Sequence, residues 1–488
     1  MRHKKKLIAL AVLVLGPVVA HGAIQVGTRI EPPALGPPGA EPAVAADGTR
    51  RLDGGAVRRR GKVLEVRLAG TPEAIGHQHG RLLYPEMVDN EGTLLGEFRH
   101  YVPFAPARWL IMDMSRLQFR SVDQGMSDAR RHEVAAQARA FSPDPYADLL
   151  PTYHRFVFLQ SLYDIALSFE HSPLIGCTSF TLGGEAAAAG HTILARNFDF
   201  EAGPVFDEGK AVFLVREEGR IPYASVAWPG FVGAVSGMNA AGVAAVVHGA
   251  RAAVPRTRGE PVVHTMREVL ARAHSTEEAL AVLDGAAPMV SHMVMVADAA
   301  GDVAIVERVP GAPMYVRRGR GKVPLTNHLE GPFAGDPENQ RVERSTSTWP
   351  RRKRLDELLA NLPAGASVQD AVRVLRDKRG VGDAEMPLGD RRAIDALIAT
   401  HAVVMDATAR ELWVSEGPHL VGRFVRFDLG RLLEQPADAG GGDEVVTLPE
   451  DVIAGDGSYA AWVGRGSPHA FDEGKSAAAP EHASEERR

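Results

Sequence analysis

Cys177 is the only cysteine in 488 residues, and it sits in Gly176-Cys177-Thr178-Ser179-Phe180. The chain also opens like an exported protein, and one cysteine cannot close an internal disulfide, so the thiol calls for another role. A thiolate is a good nucleophile, but a free thiol titrates near ~8.5 and needs activation. Histidine is the usual activator. A free α-amino group, with a pKa of about 7.7–8.0, is an alternative general base near neutral pH. That alternative requires the cysteine to be the first residue of a chain. Cys177 is internal as encoded, so the Gly176–Cys177 bond must break first. Attack of the Cys177 sulfur on the Gly176 carbonyl would free the cysteine nitrogen and leave a thioester for water to hydrolyse. Glycine before the cysteine suits this step, because it shields its carbonyl least and tolerates strained backbone angles. About twenty residues on, Ala195-Arg196-Asn197-Phe198-Asp199-Phe200 places a cation and a carboxylate at the end of a strand-like run.

The elements that must position these groups fall into two blocks. Before Cys177 the chain reads as mainly helical. A strand over Val63–Leu68 leads to Thr71-Pro72-Glu73, a helix start with proline in the first turn, and a helix with one interruption to Tyr101. Ser127–Phe141 and Pro145–Phe169 read as further helices. After Cys177, short strand-like runs alternate with Gly-rich turns: 177–182, 192–196, 211–215, 223–228, 232–238 and 243–247. Helices are expected over 264–274 and 276–283, then strands over 289–296, 303–309, 314–317 and 323–326. Helices over 350–362, 368–376 and 390–399 follow, and strands over 402–406, 411–414 and 423–427 close the domain. Blocks of strands and blocks of helices imply an α+β fold with layered sheets, not a doubly wound parallel one.

The flanks differ from this core. Met1-Arg2-His3-Lys4-Lys5-Lys6 followed by an apolar run to Ala20 reads as a secretory signal over 1–23. The run is short for a membrane span, which needs ~20 residues, and an uncleaved anchor is the alternative. Residues 24–60, rich in Pro, Gly, Ala and Arg, read as a disordered tether, and 431–488 as a partly disordered extension. The net charge of -6 and pI near 6.3, with scattered basic residues, exclude a nucleic-acid footprint.

Each candidate residue also has a plain structural reading. A lone buried cysteine is usually an inert small hydrophobe. Arg196 and Asp199 could be an ion pair at a strand end, and Asn239, before Ala240-Ala241-Gly242, a hairpin residue. His77, His79, His328 and His401 could be metal ligands, but their context lacks the carboxylates such sites use. No metal and no cofactor is expected.

The stretch from Gly176 to Phe180, with Gly190-His191-Thr192-Ile193-Leu194-Ala195-Arg196-Asn197-Phe198-Asp199, resembles the N-terminal nucleophile hydrolases. Within them it most resembles the autoproteolytic acyltransferase and hydrolase family typified by acyl-coenzyme A:6-aminopenicillanic acid acyltransferase. Gly70–Gly80, Ser236–Gly242, Leu325-Thr326-Asn327-His328, His401–Asp406 and Trp413–Pro418 extend the likeness, which runs from about Val63 to Phe427. The resemblance implies a four-layer αββα sandwich, with a helical propeptide over 61–176 and a catalytic fragment over 177–430 that remain associated after cleavage at Gly176/Cys177. It implies Cys177 as nucleophile with its own amine as base. Asp199 would orient that amine, and Arg196 would lower the thiol pKa. Asn327, with Asn239 as second candidate, would be the oxyanion donor, and Arg351 would lie near the cysteine. The implied substrate is a small acyl amide, cleaved at a linear C–N bond with the acyl group passing to water or an amine. For an exported enzyme, water is the expected acceptor. An esterase or phospholipase-like activity, or a binding protein on a decayed hydrolase fold, are the alternatives.

Overall fold

The computed structural model describes residues 2–168, 175–200, 205–436 and 444–465. Two sheets form its centre. The first has eleven strands, in the order Ala43–Val44, Arg50–Leu52, Gly55–Arg60, Val63–Gly70, Ala211–Glu217, Tyr223–Ala227, Ser236–Asn239, Ala244–Gly249, His292–Ala297, Val303–Arg308 and Tyr315–Gly319. The second has seven, in the order Val323–Leu325, Ile175–Leu182, Ile193–Phe200, Ala399–Asp406, Glu411–Ser415, Phe424–Asp428 and Thr447–Leu448. Among the described residues one pair is parallel, Val63–Gly70 beside Ala211–Glu217. The rest are antiparallel.

Alternation along the strands builds the layers, because successive side chains point to opposite faces. Val212 and Leu214 point between the sheets, where they join Val403, Met405, Val414 and Val425. Ala211, Phe213 and Val215 point the other way, onto Ile75, Val134, Val269 and Leu270 of the helices. On the far face of the second sheet, Phe180, Ala195 and Val404 meet Leu355, Leu359, Val372 and Leu375. These belong to the helices Thr348–Asn361 and Val368–Leu375. Three apolar seams separate four layers, α, β, β and α, which is the architecture the resemblance implied. Each fully buried Val, Leu or Phe contributes roughly 1.5–3 kcal/mol. A one-residue slip would move a strand's whole apolar set to the wrong face, so the seams fix register.

Local sequence sets the helix ends. Thr71 caps Pro72–Leu82 by accepting from the Ala74 amide, and Ser127 caps Asp128–Ala140 by accepting from Arg130. These two helices touch at backbone distance. A Cβ on Gly76 would lie 2.1 Å from the Glu133 carbonyl oxygen, and one on Gly80 2.6 Å from that of Gln137. Only glycine fits either position.

Three expectations need correction. Residues 24–60 are not a tether throughout: Ala43–Val44, Arg50–Leu52 and Gly55–Arg60 are strands of the first sheet. Arg50, Arg58 and Arg60 of these strands are held by carboxylates rather than left in solvent. Arg58, Arg60 and Arg67 all pair with the buried carboxylate of Glu65. The strand expected over Val63–Leu68 is present as Val63–Gly70, an inner strand of that sheet. The helix expected over 145–169 starts at Thr152, after Pro151, and breaks at Ser161 before resuming over Leu162–Ser168. Residues 390–398 form turns instead of a helix: Asp390 and Asp395 accept from the amides of Arg392 and Leu397, and Leu397 takes φ 54°. Short acidic side chains there offer the backbone a turn in place of a helix. Helices at Ala105–Gln118 and Pro337–Ser345 were not anticipated. The leader forms a helix, Arg2–Gly27. Among the described residues no helix is long and apolar enough to cross a membrane. Residues 437–443 and 466–488 of the expected C-terminal extension lie outside the described residues.

Candidate active site

The paired strands Ile175–Leu182 and Ile193–Phe200 set the geometry. Their register opposes Gly176 to Asp199, Cys177 to Phe198, Thr178 to Asn197 and Ser179 to Arg196. Opposed residues share a face, so Cys177, Ser179, Arg196 and Phe198 point inward between the sheets. Gly176, Thr178, Asn197 and Asp199 point outward. The Arg-Asn-x-Asp spacing therefore divides its work between two faces. Arg196 reaches the cysteine sulfur, Asn197 donates to the carbonyls of Leu375 and Ile394 in the outer layer, and Asp199 lies over Gly176. A Cβ at position 176 would be 3.2 Å from Asp199 Oδ2, a tight contact that the carboxylate would have to ease.

Cys177 is fully buried. The Arg196 guanidinium donates to its Sγ at 3.2 Å from Nη2. The same group donates to the carbonyls of Val235 and Val247 and to Ser236 Oγ, and rests 4.4 Å from the centroid of the Phe198 ring. The Cys177 backbone N–H donates to Asn327 Oδ1 at 2.8 Å. Arg351 clamps the far side, donating to the Cys177 carbonyl at 2.5 Å, to Thr178 Oγ1 at 2.8 Å and to Asn327 Oδ1 at 2.9 Å. Thr348 fixes Asn327 through its backbone N–H, and Asn327 Nδ2 donates to the Gly249 carbonyl at 3.1 Å.

Burial pushes the Cys177 thiol above its ordinary value. Arg196 opposes that rise, Asp199 adds to it, and Arg351 opposes it. Burial lowers Arg351 in turn, against Asp199 and Cys177. In the uncut chain the thiol is therefore protonated near neutral pH. No imidazole bonds the sulfur among the described residues. The nearby His248, which sequence reading missed, is committed elsewhere. Its Nδ1 faces the Thr326 carbonyl at 3.0 Å and so carries the proton, leaving Nε2 to accept from Ser179 Oγ at 2.6 Å. Burial and Arg196 hold it well below the usual histidine range, hence neutral. A polar residue inside the apolar run Val243–Val247 and Gly249 was the available signal.

Of the sequence candidates, Gly176, Cys177, Arg196, Asp199, Asn327 and Arg351 are brought together. Asn239 is not a free oxyanion donor. Both of its amide hydrogens are spent on the carbonyls of Leu270 and Ala273, and its oxygen accepts from Ala241 and Val243. It closes the turn between Ser236–Asn239 and Ala244–Gly249 and anchors the end of the helix Val262–Arg272. His77 and His79 also go separate ways, to the Ala40 carbonyl and the Gly230 amide.

A cleft of about 100 Å³ opens beside Phe198, the residue opposite Cys177. Phe200, Trp228, Phe231, Leu94 and Tyr163 line it, and the Tyr163 hydroxyl is buried without a partner.

Layers, seams and site define the fold of an N-terminal nucleophile hydrolase. The sequence match is more particular. Residues 187–387 fit the family described as acyl-coenzyme A:6-aminopenicillanic acid acyl-transferase. That stretch begins after Cys177 and holds Arg196, Asp199, Asn327 and Arg351. Solved structures similar to the chain include an N-acylethanolamine-hydrolyzing acid amidase ortholog from Caenorhabditis elegans, at 15% identity over 48% of this chain and 93% of that one, TM-score 0.35. Penicillin V acylase from Agrobacterium tumefaciens matches at 20% identity over 53% and 87%, TM-score 0.36. A mutant conjugated bile acid hydrolase from Clostridium perfringens matches at 13% over 56% and 97%, TM-score 0.35. No curated protein matches the sequence significantly. Over residues 187–387 the chain carries that acyltransferase family's sequence pattern.

Proposed function

We propose that Cys177 first severs its own bond to Gly176 and then cleaves a linear amide through an acyl-enzyme. One observation carries the reading: a buried guanidinium, Arg196, donates to the sulfur of the same residue whose backbone N–H donates to a side chain, Asn327 Oδ1. A merely structural cysteine needs an acceptor for its buried N–H but no cation at its sulfur. In the first step the sulfur attacks the Gly176 carbonyl carbon, the C–N bond breaks, and the nitrogen takes up the proton. Water then hydrolyses the thioester, which restores the thiol and leaves a carboxylate on Gly176.

The freed amine keeps Asn327 Oδ1 as hydrogen-bond acceptor and has Asp199 nearby to orient it. It takes the thiol proton while Arg196 stabilises the thiolate. The sulfur attacks the amide carbonyl, and the ammonium returns its proton to the leaving amine. Asn327 Nδ2 keeps one hydrogen on Gly249 and carries a second for the oxyanion. Water, or an amine, then takes the acyl group. The aromatic cleft beside Phe198 suits an apolar acyl group.

The two fragments stay together, because the first sheet draws strands from both. Arg130 and Glu133, before the cut, also interlock with Glu217 and Arg267 after it. Mass spectrometry tests the whole. Wild type should divide between residues 176 and 177 and carry an acyl adduct on the downstream fragment, while Cys177→Ala stays one chain. Fully active material with no fragment starting at Cys177 would overturn the proposal.

A further inference from the structure

The helix Ala105–Gln118 is inside out. Its polar residues Asp113 and Arg116 are buried, while Trp109, Leu110, Ile111, Met114 and Leu117 are exposed, as are Tyr101 and Phe104 just before it. Large apolar side chains clustered this way are rare on the free surface of a soluble protein. The buried polar face is used: it grips the helix Arg2–Gly27. Asp113 Oδ2 pairs with His21 Nδ1 at 2.7 Å, and Arg116 donates to Thr28 Oγ1 and to the Gln25 carbonyl. The His21 ring stacks on Trp109, 5.6 Å between centroids. The leader helix exposes its own apolar residues, Leu15, Val18, Val19 and Val26.

Charge points the same way. Between residues 99 and 120 the single acidic side chain is the buried Asp113, while Arg99 and Arg120 are exposed. The leader begins with Arg2, Lys4, Lys5 and Lys6. An apolar face rimmed by cations and free of exposed acid matches an anionic bilayer, with side chains in the acyl boundary and guanidinium groups at the headgroups.

We propose that the 105–118 helix, with Tyr101 and Phe104, docks this protein on the surface of an anionic lipid bilayer. This surface is independent of the chemistry proposed for Cys177.

The test uses the full chain and vesicles of phosphatidylcholine and phosphatidylglycerol whose acyl chains are brominated. Trp109 should be quenched by contact with bromine, and the extra quenching over unbrominated vesicles should vanish in Trp109→Phe. Leu110→Glu with Met114→Glu should weaken vesicle binding by about ten-fold or more and leave cleavage before Cys177 intact. Either of two results would overturn the inference. In one, vesicle-bound wild type shows the same quenching as Trp109→Phe, so that the leader alone inserts. In the other, the wild type is a dimer that the double variant dissolves, with no vesicle-dependent quenching, so that a second copy covers the patch.

Discussion

Two buried groups of arginines show opposite uses of the same side chain. Arg130 and Arg267 meet Glu133 and Glu217 in a closed square of two cations and two carboxylates, all but sealed from solvent. Arg196 and Arg351, equally buried, donate no hydrogen bond to a carboxylate among the described residues. They spend their N–H groups on carbonyls, hydroxyls, the Asn327 amide oxygen and the cysteine sulfur. A neutralised cation locks elements together, and losing one partner leaves a stranded charge. A cation bonded only to neutral groups keeps its field, which acts on whatever ionises beside it. The square is thus a clasp between residues on either side of Gly176, and the other pair is an electrostatic device around Cys177.

Substitutions can break or sharpen this contrast. Arg196→Met should lower kcat/KM by about 10³-fold and slow alkylation of the thiol at pH 7, because the thiolate loses its nearest cation. Thiol alkylation as fast as wild type would contradict that role. Glu217→Gln should instead cost about 3–5 kcal/mol in urea unfolding while leaving activity per folded molecule unchanged. The two asparagines sharpen the same divide. Asn327→Ala should reduce kcat about 10²-fold. Asn239→Ala should cost about 2 kcal/mol, from orphaned carbonyls, with kcat unchanged.

The most gradual effect is a pH slope. Burial and Arg267 push His79 down to about 3, and its Nε2 accepts from the Gly230 amide at 2.8 Å. The folded state disfavours the protonated ring, so the stability it contributes is complete above the unfolded pKa of about 6.5 and drains as pH falls toward about 3. One such histidine tilts stability by about 1.4 kcal/mol per pH unit in that window. Against burial, which raises it, Arg267 and Arg130 hold the Glu217 carboxyl below its ordinary value, so its share is lost at still lower pH. Melting temperature followed from pH 7 to 4 should fall, and less steeply in His79→Gln.

The site was legible where chemistry and spacing coincide. The lone thiol, the preceding glycine and the downstream Arg196 and Asp199 lie on two adjacent strands whose register could be counted. Arg351 was harder, because Arg351, Arg352 and Arg354 compete in sequence. The helix decides: Arg351 turns inward to the Cys177 carbonyl, Arg352 outward to Glu330, and Arg354 to Asp377. Asn239 misled because a turn asparagine and an oxyanion donor look alike until its amide hydrogens are counted. The tether over 24–60 failed for a different reason. Composition suggested disorder, but Arg58 and Arg60 need a partner, and Glu65 supplies it from the neighbouring strand. The inverted helix over 105–118 escaped because its apolar residues sit on the wrong side for a core.

The parallel pair of Val63–Gly70 with Ala211–Glu217 has a practical corollary. Stripping away everything upstream of the cut would bare a seven-residue ribbon of unmatched amides and carbonyls at the middle of the larger sheet. Such an edge recruits other chains. A recombinant downstream polypeptide made by itself should therefore precipitate, whereas co-expression with its missing half should keep it in solution.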